Sequence, residues 1–374
     1  MKILVLCPSY FPIRGGTEQA IHELASRLKA DSEVVILTIR WDKAWPRRES
    51  IDGIEVHRAG YWRVKGLDTI SKCLALFFRA TALSRRAKFD VVHMFHVLET
   101  GCAAYLMKKV LRRPLVTTLA GWETYDPLLK LSKRQAFIVR TAMGASDLVT
   151  APSRFQASAG RQQGYEKEII VVPHGGSMAG REIRERAEIK KHLGLEGKRI
   201  ILSLQRLQAR KGLADLLAAV PSVVASKRDA HFLIVGEGPE EKNLKEQARV
   251  LGIENRLTLT GFVPDTDLPA YYSAADLFVL PTLYEAFGLV YVDALSFGVP
   301  VVTTENGGAL DIINPQNGIL IPPNDPEKLG RAVIEALEKP WDKNAIRASA
   351  EKFDWTRIVA KYKELYASVT SSRG

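Results

Sequence analysis

Cysteine is scarce in this sequence: Cys7, Cys73 and Cys102 stand far apart and in no paired spacing. That excludes a disulfide framework and a CxxC-type zinc or redox site, and the three read as small buried residues in a reducing compartment. Long apolar runs are also missing. No stretch approaches the ~20 residues that span a bilayer. The opening run MKILVLC leads into Pro8 and Pro12 without a small-residue cleavage pattern, so it reads as a first buried strand and not as a signal peptide. A cytoplasmic protein is expected. The dinucleotide glycine fingerprint is absent after that strand, where the chain reads PSYFPIRGG, which argues against a nicotinamide dehydrogenase. Zinc spacings, RNP-like aromatic motifs and heptads are absent too, so no nucleic-acid partner is expected.

What is present is a chain of 374 residues, 46% hydrophobic and 25% charged, long enough for two globular domains with sizeable cores. Its net charge of +11 is one-sided. Residues 1–180 carry 27 Lys and Arg against 16 Asp and Glu, whereas residues 181–374 carry 26 of each. An anionic partner of the first half is one reading, such as a membrane surface; a basic half with no charge-specific partner is the other.

Both halves alternate short β-rich runs with helical patterns, the rhythm of parallel α/β folds. In the first half KILVLC, EVVILTI, FDVVHMF, RPLVTTL, DLVTAP and IIVVP read as strands, with helices over Thr17–Lys29 and Ile70–Lys88. The second half restarts with RIILSLQ, HFLIVGEG, RLTLTGF, DLFVLPT and VPVVTTE, and with helices over Leu213–Ser226, Glu240–Leu251 and Glu327–Leu337. The segment beginning PHGGSMAG at Pro173 marks a boundary. Domains are therefore expected at 1–175 and 176–354. Doubly wound units bind ligands beyond the carboxyl ends of their strands, so two of them would face each other across a cleft.

The residues that carry chemistry cluster in the second half. Arg206 and Lys211 follow a strand in LSLQRLQARKG; two cations there can neutralise a diphosphate, or simply decorate a solvated loop. Gly236 and Gly238 in VGEGPE let a phosphate or ribose approach the backbone, or make a tight strand-to-helix turn. Glu285 stands at a helix entrance beside the backbone of Phe287, Gly288 and Leu289, with Asp293 eight residues later. The first acid can accept hydrogen bonds from sugar hydroxyls and the second from a ribose diol, or both can complement a helix dipole. Gly307–Gly308 again allows close approach. Asp265-Thr266-Asp267 matches a metal–nucleotide motif of another fold, but lies between a strand and a helix, where capping explains it.

Taken in order, these pieces resemble the retaining glycosyltransferases of the GT-B group known as family 4. The likeness also includes the first strand followed by Gly15–Gly16, the DVVH run at Asp90–His93, Ser153, VVPHGG, and FDW near the C-terminus. It implies a GT-B fold of two Rossmann-like doubly wound domains facing across a cleft, with a last helix at about 355–374 crossing back onto the first domain. It further implies sugar transfer from a nucleotide-diphosphate donor, UDP being the commonest, without a metal or other cofactor. By the resemblance, Gly15 and Gly16 would present amides to the diphosphate, Arg206 and Lys211 would neutralise it, Glu285 would hold the donor sugar and Asp293 the ribose. The family commonly has Glu where Asp293 stands, and His where Ala120 stands; Glu123, His93 or His96 is left to serve the sugar side.

The first domain would then bind the acceptor, a glycan or lipid-linked one. TISKCLALFFRATALSRRAKF joins an apolar stripe to Lys72, Arg79, Arg85, Arg86 and Lys88, with Trp41, Trp45 and Trp62 nearby. Such a helix suits the anionic inner face of a membrane, or is a half-buried helix with a solvated basic side. A catalytically silent nucleotide- or glycan-binding protein, or a nucleotide-sugar epimerase of the same fold, is the competing reading.

Overall fold

The computed structural model describes residues 1–62, 68–120, 131–178 and 180–371. The chain divides into two compact units, one made of Met1–His174 with Trp355–Gly374 and one of Gly175–Asp354.

In the first unit the order is β1 (Lys2–Leu6), α1 (Gly16–Leu28), β2 (Glu33–Ile39), β3 (Arg48–Ile51), β4 (Ile54–Ala59), α2 (Asp68–Arg86), β5 (Val91–Phe95), α3 (Val97–Leu111), β6 (Leu115–Thr118), α4 (Lys133–Ala145), β7 (Leu148–Ala151), α5 (Arg154–Gln162) and β8 (Ile169–Val171). The second unit continues with α6 (Arg186–His192), β9 (Arg199–Leu204), α7 (Leu213–Ser226), β10 (Ala230–Val235), α8 (Glu241–Val250), β11 (Leu257–Leu259), α9 (Leu268–Ala274), β12 (Leu277–Leu280), α10 (Leu289–Ser296), β13 (Val301–Thr304), α11 (Ala309–Ile312), β14 (Gly318–Ile321), α12 (Pro326–Glu338) and α13 (Lys343–Ala350). The last helix, α14 (Trp355–Ser371), returns to the first unit, where it packs on α1.

Each unit holds one sheet, in the orders β3-β4-β2-β1-β5-β6-β7-β8 and β11-β10-β9-β12-β13-β14. All pairings between these strands are parallel except β3 with β4. The strands are apolar on both faces because helices cover both. In β9, Ile200 and Leu202 enter one core of the second unit and Ile201 the other. In both sheets the strand order reverses beside the first strand, between β1 and β5 and between β9 and β12. These switch points leave crevices at the carboxyl ends of the strands, where ligands of such folds bind.

Two elements differ from the sequence reading. The β3–β4 hairpin is formed around Asp52 and Gly53, whose φ values of 49° and 76° make the left-handed turn that matches the twist of a hairpin. The edge strand β14 follows Asn317 and pairs with β13. A third difference concerns Asp267. It stands at the N-cap of α9, but its side chain makes no capping bond.

Candidate functional site

In the second unit the residues singled out by sequence gather over the switch point between β9 and β12. After β9 the chain runs through Arg206 into a short 3-10 turn, Ala209–Lys211, that ends at Gly212 in the left-handed region, φ 69°. A Cβ at Gly212 would lie 1.9 Å from the Pro281 carbonyl oxygen, so the turn rests directly on the end of β12. The Leu283 amide donates to the Arg210 carbonyl at 2.9 Å, and the Thr282 hydroxyl reaches the same oxygen at 3.2 Å. This seam brings together two side chains 74 positions apart: Lys211 Nζ donates to Glu285 Oε2 at 2.6 Å. Both are largely withdrawn from water, at 15% and 20% side-chain exposure. Arg206 is exposed.

The Glu285 backbone is held in turn by the next loop. Its carbonyl accepts from Gly308 N at 2.9 Å, and a Cβ at Gly308 would lie 2.2 Å from the Phe287 carbonyl oxygen. The Phe287 side chain enters the core edge-on to Phe353, leaving only its backbone at the helix start. Gly288 caps α10 at φ 97°, where a Cβ would strike the Tyr291 ring, and Leu289 opens the helix. Gly236 and Gly238 have a packing reason of their own: Cβ atoms there would lie 1.9 Å from the Gln205 carbonyl oxygen and 2.3 Å from that of Leu207. Backbone bonds Gln205 N to Val235 O and Leu207 N to Glu237 O close these two loops on each other.

Asp293 is held by the start of the unit. It is 2% exposed, and its carboxylate accepts from the Ser177 hydroxyl at 2.7 Å and the Met178 amide at 2.8 Å. A Cβ at Gly176 would come within 2.7 Å of the same carboxylate. The acid ties the first residues of the unit to α10. Asp293→Ala should lower stability by about 2 kcal/mol, since a hydroxyl and an amide lose a charged acceptor. Asp293→Asn, which keeps one acceptor oxygen, should cost less than about 1 kcal/mol, and thermal unfolding checks both.

The remaining predicted residues lie in the first unit, apart from Glu123, which is outside the described residues. Gly15 precedes α1 in extended backbone and is small because a Cβ would meet the Glu18 carboxylate at 2.5 Å; Gly16 begins the helix. Glu18 is nearly buried and accepts from the Ser9 hydroxyl, a contact the sequence reading missed. His96, just before α3, has a strained φ of 62° at the carboxyl end of β5.

His93 lies in the interior of the first unit. It is fully buried, with Nδ1 at 2.7 Å from the Tyr366 hydroxyl and Nε2 at 2.7 Å from Thr118 Oγ1. Thr118 Oγ1 continues the chain to Thr150 Oγ1 at 2.7 Å, so the network docks α14 on the sheet. Burial, aided by His174, pulls the His93 pKa down to about 3. A histidine depressed in the fold contributes stability that is complete above the unfolded value of about 6.5 and is lost as pH falls through that value toward 3. Denaturant unfolding at pH 6.5 and 5.0 should differ by about 1.6 kcal/mol from this residue. In His93→Gln that share of the pH dependence should vanish.

Among the described residues no cluster of His, Cys, Asp or Glu could hold a metal ion, and no helix is long and apolar enough to cross a membrane.

Comparison with known proteins accords with this architecture. The family described as Glycosyltransferase Family 4 matches residues 14–176, and that described as Glycosyl transferases group 1 matches residues 185–353. An alpha-monoglucosyldiacylglycerol synthase of Streptococcus pneumoniae is 24% identical, across 95% of this chain and 82% of that protein. A GDP-mannose-dependent alpha-(1-6)-phosphatidylinositol monomannoside mannosyltransferase of Mycolicibacterium smegmatis is 25% identical across 90% of each chain. The solved structure of Anabaena HepE in complex with UDP and glucose aligns with a TM-score of 0.81 at 22% identity, over 98% of this chain and 100% of that one. With the two matched segments covering both units in order, and two Rossmann-ordered sheets beneath them, the chain belongs to the GT-B glycosyltransferases of family 4.

Proposed function

We propose that this glycosyltransferase moves a sugar from a nucleoside diphosphate donor with retention of anomeric configuration and without a metal ion, Arg206 and Lys211 stabilising the departing diphosphate. The observation that carries this reading is the Lys211–Glu285 pair, a cation and a carboxylate held 2.6 Å apart over a strand-order switch point. A nucleotide sugar presents a dianionic diphosphate joined to a ring of hydroxyls. Lysine serves the first and the carboxylate accepts from the second. Exposed Arg206 adds a planar fork that can meet phosphate oxygens in pairs. Attack by the acceptor from the leaving-group face, through an oxocarbenium-like state, would pass the acceptor's proton to the departing phosphate oxygen. The protein's task is then charge stabilisation. UDP is the first donor nucleotide to test, and the GDP-mannose dependence of one relative makes GDP the second.

The acceptor side is read from the first unit, where the whole surplus of positive charge lies. Trp62 is 76% exposed and Phe78, on α2, 64%, and the same helix ends in exposed Arg85 and Arg86. Exposed aromatics beside cations suit an anionic lipid surface, and the names of two relatives include a lipid, diacylglycerol in one and phosphatidylinositol in the other. A lipid-linked acceptor at such a surface follows.

The test is transfer in a chelating buffer from UDP- and GDP-sugars to lipid and glycan acceptors on vesicles with and without anionic lipid, the product anomer read by NMR. An alpha product from an alpha donor, formed faster on anionic vesicles, supports the reading. A beta product, or activity lost to the chelator and restored by Mn²⁺, contradicts it.

A further inference from the structure

The first sheet ends on a group of side chains that the Lys211–Glu285 site does not use. β2 and β4 pair in parallel with Ile39 opposite Ala59, so two residues further on Trp41 and Tyr61 stand side by side beyond the carboxyl ends of both strands. Their rings meet edge to face, 73° apart with centroids at 6.0 Å, and both pack on the core of the unit. The Trp41 indole N–H donates at 2.8 Å to the carbonyl of Pro8, two residues beyond β1, which adds a third strand end to the group. The loop around Trp41 closes on itself, with the Arg40 guanidinium donating to the Trp45 carbonyl at 2.6 Å and to that of Lys43. Over both rings lies the ammonium of Lys72, from the start of α2, 4.3 Å from the Trp41 centroid and 5.4 Å from that of Tyr61. Among the described residues it has no hydrogen-bond or carboxylate partner.

We propose that Lys72, seated on Trp41 and Tyr61, receives a phosphate or carboxylate group of the sugar acceptor, so that the enzyme prefers an anionic acceptor to its neutral counterpart. This rests on the reading of the chain as a transferase whose first unit binds the acceptor. Ligands of doubly wound sheets bind beyond the carboxyl ends of the strands, where these three side chains lie. The ring faces hold the ammonium through their π electrons, an attraction weaker than a charge-assisted hydrogen bond, and leave its three donors for an oxyanion. The rings also fix the position of a side chain that would otherwise have to be ordered when the ligand arrives. Trp41 and Tyr61 are only partly buried, so ring carbon beside the ammonium gives the body of the ligand an apolar contact. This cation is separate from the basic end of the same helix: Arg85 and Arg86 lie about 20 Å away along its axis. Attraction of a charged surface to those arginines does not require Lys72.

The probes are two soluble pairs that differ only in the charged group: octyl glucuronide against octyl glucoside, and dihexanoyl phosphatidic acid against dihexanoylglycerol. Each is titrated, below the concentration at which it forms micelles, into the full chain with UDP or GDP present, and binding is read by calorimetry. In at least one pair the anionic probe should bind wild type about tenfold tighter than its neutral mate, the usual worth of a hydrogen bond to a charged group. The pair that shows this identifies the source of the anion, a charged sugar or a lipid phosphate. Lys72→Met should erase the difference, and Lys72→Arg should keep most of it. Lys109→Met removes the same charge from another lysine over a ring, 5.7 Å from the Tyr105 centroid, and should leave the difference intact. If Lys72→Met fails to fold, Lys72→Gln takes its place. Equal affinity within both pairs in wild type, no binding of either anionic probe, or a difference that survives the loss of Lys72 would overturn the proposal. Wild type that binds neither UDP nor GDP contradicts the transferase reading instead, while the two pairs still report on Lys72.

Discussion

Lys211→Ala is expected to lower turnover about a hundredfold or more, the usual cost of deleting one preorganised group that stabilises developing charge. The side chain touches Glu285 at 2.6 Å and is fixed from behind by the seam between the 209–212 turn and the end of β12. A flexible surface lysine would have to be ordered at the moment of reaction; this one is already ordered. Two further variants separate its duties. Lys211→Arg retains charge but places a bulky fork where a point charge sat, so it should recover only part of the rate. Glu285→Gln removes the anion that engages Lys211 in the free protein. Nucleoside diphosphate binding should therefore hold or tighten, while sugar transfer falls, because a strong acceptor for sugar hydroxyls has become a weaker one. Steady-state kinetics and nucleotide titration of the three variants check this pattern. Equal losses of binding and turnover in Glu285→Gln would mean that the carboxylate only supports the loop.

Gly212→Ala should be among the most damaging small changes in the second unit. Its φ of 69° is costly for alanine, and the added Cβ would sit 1.9 Å from the Pro281 carbonyl oxygen, backbone that can yield only if β12 and the turn separate. Left-handed strain costs about 1–2 kcal/mol, and with the clash the loss should reach about 3 kcal/mol or more. The thermal midpoint should then fall by about 10 °C. Gly194 supplies the control, having a φ of 65° but nothing within 4 Å of a Cβ; Gly194→Ala should cost only the strain, about 1 kcal/mol. The difference between the variants isolates the contact that places Lys211, and Gly212→Ala should also weaken nucleotide binding, whereas Gly194→Ala should not.

Much of this architecture is legible in the sequence because it depends on local pattern. Doubly apolar runs such as EVVILTI become β2 at the same residues, and Leu213–Ser226 is a helix with the predicted bounds. The β3–β4 hairpin was also readable. Asp52-Gly53 between ESI and IEVH is a strong short-range hairpin signal. The side-chain roles were less legible, for a physical reason. Whether His93 reaches a ligand or a core partner depends on Tyr366, 273 positions away, and no local signal encodes that meeting. Asp293 is the same case in smaller compass: its spacing from Glu285 fits a ligand-binding pair, but Ser177 and Met178 fold back to it. At Gly236 and Gly238 the sequence marks a close approach, and the structure supplies backbone as one partner of that approach.

The central claim, that the Lys211–Glu285 locus of the second unit receives the diphosphate of a nucleotide sugar, is tested most directly by metal-free thermal unfolding with UDP, GDP and ADP. Wild type and the Arg206→Ala/Lys211→Ala double variant are compared. A nucleotide present at a hundred times its dissociation constant adds about 2.7 kcal/mol, several degrees for a unit of this size. The account predicts that one nucleotide family stabilises wild type by that amount in chelator and leaves the double variant unmoved. Equal stabilisation of both proteins, or of neither by any nucleotide, would contradict it.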